Sequence, residues 1–314
     1  MLIVHTADVH IGVENYGFPD PETRTSTRLT DFLNSLDEVV YYAINNKADL
    51  VLFCGDAYKS RNPSQTHQRE FAKRIATLTK KNIPVFLLAG NHDSPNIRIQ
   101  ATALDIFTTL NAPKVYIGDK LQTHIVETKN GPIQIISLPW IRKGDFITSK
   151  DTKGLSNTDI NKSIQETLTS IINSEIQNLN PNIPAVLAGH VSIDSAKTSS
   201  EKSMMLGKDY ILLKSSINNK KLDYIALGHI HKHQILNENP KIVYPGSLER
   251  VDFGEEKDQK GFCVIELDST AESGSREVSF DFIPVNARKF TTIRTIIKDT
   301  DLSATQTVIN EIEN

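Results

Sequence analysis

The chain has 314 residues, more than one domain usually holds, so we expect one large core plus a smaller module. With 39% hydrophobic and 23% charged residues and a formal net charge of −3, it has no whole-chain attraction to nucleic acid, and any such partner must be held locally. Its two cysteines exclude a disulfide framework and a CxxC metal site. Because no apolar run is long enough to span a membrane and no secretory signal is present, we expect a cytoplasmic protein without a membrane partner.

The first third of the chain predicts strands alternating with helices. Apolar runs at residues 2–6, 50–54 and 85–89 are typical of strands, and the second is continuous, as in a strand buried on both faces. Helices are predicted from about residue 27, after the Pro63-Ser64 pair, and over about residues 97–110. This order predicts a parallel, right-handed α/β layer.

Further along, short strands alternate with one long helix. Strands are predicted at residues 114–117, 124–127, 133–138, 185–188, 224–227, 242–244, 261–267 and 278–283, and a helix at 158–179. The simplest architecture is α/β, with two packed mixed sheets flanked by helices. A strand at 290–296 and a helix from near Ser303 cannot bury their own faces. Residues 1–284 are therefore predicted as one domain, and 285–314 as an appendage or the beginning of a truncated second domain.

Polar side chains follow the ends of five predicted strands. They are Asp8 and His10; Asp56; Asn91, His92 and Asp93; His190; and His229 and His231. Alternation along a strand predicts a shared face for each D-x-H or H-x-H pair, and His233 continues it, although we expect a solvated surface histidine there. Each motif alone is most often a turn. Five of the nine histidines fall in these motifs, however, so a metal site at the strand ends is favoured.

The donor types narrow the chemistry. Two carboxylates, one amide oxygen and four imidazoles, without thiolate, suit Mn²⁺, Fe or Zn²⁺. Seven donors are too many for one tetrahedral ion and enough for two ions that share a carboxylate. Two such ions keep a residual charge of about +2, which favours a phosphate ester and lowers the pKa of bound water to roughly 7–9. The sequence therefore predicts two-metal phosphoester hydrolysis with a metal-bound hydroxide.

The five motifs together resemble the calcineurin-like metallophosphoesterases. Residues 60–64, 138–140 and above all 244–256, Tyr-Pro-Gly-Ser-Leu-Glu-Arg-Val-Asp-Phe-Gly-Glu-Glu, resemble the SbcD-type DNA repair exonuclease subunits of that superfamily. The resemblance covers about residues 1–285, and residues 284–296 resemble the start of that family's DNA-capping domain. It implies a four-layer sandwich. The loop at 13–27 is longer than the family's usual connection, and Lys59 stands where relatives often carry an acidic residue or histidine.

The resemblance also implies a role for each site residue. One ion would be held by Asp8, His10 and His231, the other by Asn91, His190 and His229, with Asp56 bridging them. His92 would face the scissile phosphate and would not be a ligand. Asp93 would either orient His92 or close the turn. The implied ions are two Mn²⁺, with Mg²⁺, Fe or Zn²⁺ as alternatives.

The function so implied is a manganese-dependent nuclease of double-strand-break repair, DNA recombination and replication, acting as a double-strand exonuclease and single-strand endonuclease. Its implied partners are DNA ends, a second copy bound through helices near 65–80 and 97–110, and an SMC-like ATPase of the SbcC type, bound through a C-terminal region not present in this chain. Amphipathicity of those helices equally fits packing on the sheet. Lys59, Arg61 and Arg142 are candidate DNA-phosphate contacts, with solvated surface charge as the alternative.

Two other functions remain as alternatives. One is a small-molecule, cyclic-nucleotide or protein phosphoesterase of the same superfamily, although Ala57-Tyr58-Lys59 lacks the Asp and Arg expected in a protein phosphatase. The other is a metal-free scaffold, which should have lost ligands, whereas none of the seven is missing.

Overall fold

The computed structural model describes residues 1–22, 24–94, 101–142, 156–199, 210–297 and 302–313. The predicted alternation of strands and helices is present in the first part of the chain. Serine caps set where the first two helices begin, because the Ser26 hydroxyl accepts the N–H of Arg28 and the Ser64 hydroxyl accepts that of His67. The elements are β1 (Leu2–Thr6), α1 (Thr27–Asn45), β2 (Leu50–Cys54), α2 (Gln65–Lys80) and β3 (Val85–Leu88).

The remaining elements follow the predicted order, with three additional short strands that were not predicted, at Ser192–Ile193, Ile211–Leu212 and Gln234–Glu238. They are α3 (Asp105–Thr109), β4 (Val115–Gly118), β5 (Gln122–Thr128), β6 (Gly131–Leu138), α4 (Asn157–Gln177), β7 (Ala185–His190), β8 (Ser192–Ile193), β9 (Ile211–Leu212), β10 (Tyr224–Gly228), β11 (Gln234–Glu238), β12 (Lys241–Tyr244), β13 (Gly261–Leu267), β14 (Glu277–Pro284) and α5 (Ala304–Glu313). Among the helices described, none has the length and apolar character needed to cross a bilayer.

The strands form two six-stranded mixed sheets. The first has the order β14-β13-β1-β2-β3-β4 and the second β11-β12-β10-β7-β6-β5. In the first sheet β1, β2 and β3 run parallel, and in the second β7 and β10 run parallel. The carboxyl ends of these five strands therefore lie at one edge of each sheet, which is where the polar motifs follow.

Three apolar layers bury the faces of the sheets. Between the sheets, side chains such as Leu52 and Phe86 pack against Val186 and Ala226. Outside the first sheet, α1 and α2 contribute to a core that includes Val51 and Leu87. Outside the second sheet, the predicted stripe of α4 is buried against its strands, through Ile164, Leu168, Ile172 and Ile176. The order is helix, sheet, sheet, helix, and the predicted fold class is confirmed.

Two predicted elements differ from the structure. The helix predicted at 97–110 begins only at Asp105, because the Asp105 carboxylate accepts the main-chain N–H of Thr102 and closes a turn there. Residues 95–100 lie outside the described part. The prediction of a strand at 290–296 was wrong, since residues 285–297 form no strand.

The tail is instead held by acidic side chains of the larger domain. The main-chain N–H groups of Asn286, Arg288 and Thr292 donate to Glu38, Glu249 and Glu256 respectively. These carboxylates take the place of a neighbouring strand, so no ladder forms. The domain boundary at 284/285 stays a prediction.

Candidate metal centre

The structure brings all seven candidate ligands together where the five parallel strands end. Asp8 and His10 follow β1, Asp56 follows β2 and Asn91 follows β3, while β7 ends at His190 and β10 is followed by His229 and His231. Six of the seven are buried, and Asn91 is half-buried. Each sheet therefore supplies part of one cluster, although the residues are far apart in the chain.

The cluster divides into two groups. In the first, His10 Nε2 lies 2.9 Å from His231 Nε2 and 4.0 Å from Asp8 Oδ1. In the second, Asn91 Oδ1 lies 2.9 Å from His190 Nε2 and 3.1 Å from His229 Nδ1.

Asp56 lies between the two groups. Its Oδ2 is 3.8 Å from His10 Nε2 and 3.4 Å from His190 Nε2. The oxygen atoms of this carboxylate are therefore close to both groups of candidate ligands.

The hydrogen bonds of His190 show that this donor set fits a cation. His190 Nδ1 lies 2.8 Å from the Cys54 carbonyl oxygen, which can only accept, so Nδ1 carries the proton. In the neutral ring Nε2 then carries a lone pair, which is directed at Asn91 Oδ1 and Asp56 Oδ2. These two oxygen atoms are themselves acceptors. Lone pairs that converge in this way are stabilised by a positive charge between them, and nitrogen and oxygen donors suit a divalent ion.

The electrostatics of the buried groups favour the same interpretation. Burial alone lowers the pKa of His190, but the carboxylates of Asp56 and Asp8 outweigh it and raise that pKa to about 9. Burial raises the pKa of Asp8 to about 6. For Asp56, burial is outweighed by His190, His92 and His10, which hold its pKa well below the usual range. Positive charge is therefore stabilised at the centre of the cluster.

Four of the candidate ligands have a strained backbone. The φ angles of Asp8, His10, Asp56 and His229 are 51°, 50°, 55° and 94°, in the left-handed region that side chains other than glycine rarely adopt. Asp8 and His10 thus lie beyond the end of β1, and His229 and His231 beyond that of β10. Asp8 and His10 are brought together as predicted, but by tight turns and not by strand alternation, whereas His229 and His231 lie in different groups of the cluster. Hydrogen bonds from the N–H groups of Asp8 and His10 to the carbonyls of Gly55 and Asp56 hold the first turn.

The two sheets approach each other closely beside the site. A Cβ on Gly228 would lie 1.9 Å from the Cys54 carbonyl oxygen, so only glycine allows β10 to pass β2 at this distance. That approach places His229 beside the residues that follow β2.

His92 differs from the ligands in exposure and in orientation. Its side chain is 30% exposed, whereas that of Asp56 is 2% exposed. The ring Nδ1 lies 2.6 Å from the Lys59 carbonyl oxygen and must donate to it, which turns Nε2 towards Asp56 Oδ2, 4.0 Å away. Although His92 is near enough to His10 and Asp56 to complete a metal triad, its position at the open rim suits contact with a substrate.

Asp93 closes the turn that carries these residues. Its Oδ2 accepts the main-chain N–H groups of Asp56, Ala57 and Gly90 at 2.8, 3.3 and 3.0 Å, and its Oδ1 lies 3.4 Å from the N–H of Tyr58. These bonds join the loop after β2 to the loop after β3. Of the two roles left open for Asp93, the geometry favours closure of the turn.

The three candidate DNA contacts occupy different surroundings. Lys59 is half-buried, and its carbonyl orients His92. Arg61 is exposed, and its Nε donates to the Ser94 carbonyl over 2.7 Å. Arg142 is half-buried and lies two residues after Trp140. Lys59 and Arg61 thus flank the loop that carries His92.

Sequence reasoning missed two residues beside the cluster as functional candidates. Glu255 is buried, and its Oε1 lies 2.7 Å from His231 Nδ1. The single tryptophan, Trp140, has its ring 5.0 Å from the ring of His229. Both lie in the segments that resemble the SbcD-type subunits, which was the available signal. His233, expected to be a solvated histidine, is half-buried, bonded to the Tyr244 carbonyl and stacked on Phe282, because β12 and β14 cover it.

Comparison with known proteins identifies the family of this chain. A model of the calcineurin-like phosphoesterases matches residues 1–233. The SbcD component of the nuclease SbcCD of Staphylococcus epidermidis is 26% identical over 271 residues, which span 86% of this chain and 67% of that protein.

Similar solved structures include a dimetal phosphatase from Danio rerio, with 12% identity, coverage of 88% of this chain and 98% of that chain, and a TM-score of 0.46. TT1561 of Thermus thermophilus has 13% identity, coverage of 90% and 98%, and a TM-score of 0.43. The chain belongs to the calcineurin-like phosphoesterase family and is a metal-dependent phosphoesterase.

Proposed function

We propose that this protein is a manganese-dependent DNA nuclease that acts on duplex ends as an exonuclease and on single strands as an endonuclease. The observation that carries the proposal is the convergence of seven donors in two groups around Asp56, with His92 at the open rim. The similarity to the SbcCD nuclease component supports DNA as the phosphodiester substrate.

The residues of the cluster divide the work between binding ions and contacting substrate. Asp8, His10 and His231 would hold one ion, Asn91, His190 and His229 the other, and Asp56 both. Bound divalent ions would supply positive charge against the scissile phosphate and lower the pKa of water at the site. Mn²⁺ suits the mixture of carboxylate, amide and imidazole donors, and Mg²⁺, Fe or Zn²⁺ are alternatives.

His92 would act directly on the substrate. Since its Nδ1–H is directed to the Lys59 carbonyl, only Nε2 is available to the reacting group. With the ring protonated, Nε2 donates a hydrogen bond to a phosphate oxygen and a proton to the leaving oxygen. The bonds made by Asp93 keep the loop in this geometry.

A substrate panel tests the proposal. The purified protein is assayed with Mn²⁺ or Mg²⁺ on end-labelled duplex DNA, circular single-stranded DNA, a cyclic nucleotide and a chromogenic phosphomonoester. We expect cleavage of both DNA substrates with Mn²⁺ and little turnover of the small molecules. Strong monoester or cyclic-nucleotide turnover with inert DNA would replace the nuclease by a small-molecule phosphoesterase.

Metal binding is measured separately from activity. Trp140 is the only tryptophan and lies beside His229, so paramagnetic Mn²⁺ should quench the intrinsic fluorescence. Electron paramagnetic resonance of the free ion counts the sites, with two expected. A protein that binds no Mn²⁺ would favour the metal-free scaffold.

The proposed partners are DNA ends, a second copy of the chain and an SbcC-type SMC-like ATPase in a double-strand-break repair complex of the cytoplasm. For the second copy, the apolar face of α2 is already buried on the sheet through Phe71 and Ile75, whereas Ile106 in α3 and the adjacent Leu110 are 47% and 71% exposed. Sedimentation of Leu110→Glu beside the wild type tests this surface, and we expect a shift from dimer to monomer. A wild-type monomer would contradict it.

A further inference from the structure

The carboxylate of Glu255 joins His231 to a buried cation. Its Oε1 lies 2.7 Å from His231 Nδ1, and its Oε2 lies 2.7 Å from Lys260 Nζ. The side chains of Glu255 and Lys260 are both fully buried. Since a carboxylate flanked by an ammonium group only accepts, His231 carries its proton on Nδ1, and its Nε2 faces His10 with a lone pair.

The hydrogen bonds of the Lys260 ammonium group support this arrangement. Its ammonium group donates to Glu255, to the hydroxyl of Ser247 over 2.8 Å, and to the main-chain carbonyl of His231 over 3.1 Å. Glu255 Oε2 also accepts the main-chain N–H of Val251 over 3.1 Å. The network therefore holds both the ring and the backbone of His231.

The surrounding turn is shaped to fit the same residue. Gly246 has a φ of +83°, and a Cβ there would lie 2.6 Å from the carbonyl oxygen of His231. The N–H of Ser247 donates to that same oxygen over 3.1 Å. The 244–256 segment, whose function the sequence left unassigned, thus contacts His231 through Gly246, Ser247 and Glu255.

Stability alone does not explain such a network. A buried ion pair gains little over apolar side chains of similar size, because both charges must lose their hydration. His190 and His92 are each oriented by one main-chain carbonyl, at no such cost. A carboxylate, unlike a carbonyl, adds negative charge behind the imidazole and makes it a stronger donor to a metal.

We propose that Glu255 is a positioning residue that fixes His231 with its proton on Nδ1 and strengthens metal binding at the Asp8–His10–His231 site. This inference rests on the proposed two-metal site and deepens it. Loss of an orienting partner typically lowers metal affinity by about 10–100-fold.

Glu255→Gln is the direct test. Lys260 and the Val251 N–H both require the amide oxygen on their side, so the amide NH₂ would face His231 Nδ1 and move the ring proton to Nε2. In Mn²⁺ titrations followed by electron paramagnetic resonance, we expect the dissociation constant of the Asp8–His10–His231 site to rise about 10–100-fold and that of the other site to stay unchanged. Asn91→Ala should weaken the other site and spare this one, which assigns the two constants.

Lys260→Met is the matched control. It disturbs the same network but keeps the bond between Glu255 and His231, so the dissociation constant of the Asp8–His10–His231 site should stay within about threefold of the wild type, well short of the loss expected from removing an orienting partner. Equal losses in both variants would make the effect structural and overturn the proposal. Unchanged constants in Glu255→Gln would also overturn it.

A measurement on the wild type covers the case in which a variant does not fold. A long-range ¹H–¹⁵N spectrum of the histidine rings in metal-free protein should show His231 protonated on Nδ1, and protonation on Nε2 alone would overturn the proposal. All binding constants are read without DNA. A wild type that binds two ions yet leaves DNA uncut therefore overturns the nuclease proposal, whereas the constants of Glu255→Gln decide the role of Glu255.

Discussion

His92 donates its main-chain N–H to Asp56 Oδ1 over 2.8 Å. The residue proposed to contact the substrate is therefore bonded to the one proposed to bridge the ions. The other oxygen, Oδ2, stays directed at His10 and His190. A shift of the Asp56 carboxylate would also move the backbone of His92. The proposed binding of ions and the proposed contact with substrate therefore both depend on the position of Asp56.

His92→Asn should bind both ions and lose DNA cleavage. The variant keeps the main-chain bond to Asp56 but removes Nε2, and loss of a proton donor of this kind costs about 10²–10⁴-fold in rate. Mn²⁺ stoichiometry and single-turnover cleavage are measured on the same sample. His124→Gln, on edge strand β5, is the matched control and should cleave normally. Cleavage by His92→Asn at the wild-type rate would remove His92 from the mechanism.

Asp56→Asn should weaken both metal sites together. The carboxylate lies between His10 and His190, so neutralising it removes negative charge from both positions. We expect each dissociation constant for Mn²⁺ to rise by more than about 100-fold, above the cost of losing an orienting partner. Asp268→Asn, which changes a carboxylate bonded to Thr270, is the control. Loss at one site only would show that Asp56 does not bridge.

Asp93→Ala should unfold more easily, even without metal. Three close N–H groups and a longer fourth contact converge on its carboxylate. Each buried N–H donor left without a hydrogen-bond partner lowers the free energy of unfolding by about 1–3 kcal/mol at most. Urea denaturation in a chelating buffer measures the free energy of unfolding, and we expect a loss of about 2–4 kcal/mol, since the loop can relax towards water. If the free energy of unfolding stayed unchanged while cleavage was lost, Asp93 would be orienting His92 instead.

His5→Gln should flatten the dependence of stability on pH. His5 is buried between Tyr224 and the Leu227 carbonyl, and burial lowers its pKa from 6.5 to about 3, against a smaller raising effect of the bond to Leu227. Between these values the unfolded chain binds a proton that the folded chain does not, so the contribution of His5 is present above pH 6.5 and is lost as the pH falls.

The size of this effect follows from the same pKa values. From pH 7.5 to pH 5.0, His5 should account for about 2 kcal/mol of the wild-type loss in the free energy of unfolding. Denaturation in metal-free buffer at both values, for wild type and His5→Gln, isolates that difference because the other groups cancel. An equal loss in the two proteins would contradict the buried neutral histidine.

Lys59→Gln and Arg61→Gln should weaken DNA binding without impairing hydrolysis of a small phosphodiester. If each side chain contacts a phosphate, its loss makes the dependence of log affinity on log salt shallower by about 0.7–0.9. Binding of duplex and single-stranded DNA is measured from 50 to about 200 mM salt. Lys162→Gln, an exposed residue of α4, is the control. Unchanged slopes in Lys59→Gln and Arg61→Gln would identify both as solvated surface charges.

The sequence predicted the strand ends well because burial leaves a plain pattern. The run at β2 is apolar throughout because both its faces are covered, and the glycine and aspartate that follow mark its end. The candidate ligands could be predicted for the same reason. The reason why Asp8 and His10 lie together could not be predicted, because their left-handed backbone depends on hydrogen bonds to the loop after β2.

Long-range partners explain the errors and the omissions. Residues 290–296 have the composition of a strand, yet the nearby tail is bonded to Glu249 and Glu256, which no local pattern reveals. Glu255 gave no signal as an orienting group, because its partners His231 and Lys260 meet it only in the folded chain. Helix α3 begins late because the side chains of Asp105 and Thr102 bond to each other and to each other's main-chain N–H groups.

The approach of β10 to β2 at Gly228 has a mechanical consequence. An ion held by Asp8, His10 and His231 would link Asp8, beyond a strand of one sheet, to His231, beyond a strand of the other. Such an ion would therefore connect the two sheets, and its removal would break that connection. At about 100 times its Kd, such an ion would add about 2.7 kcal/mol to the free energy of unfolding. Chelation should then loosen the whole sandwich, and a bulky residue at position 228 should release ions without changing any ligand.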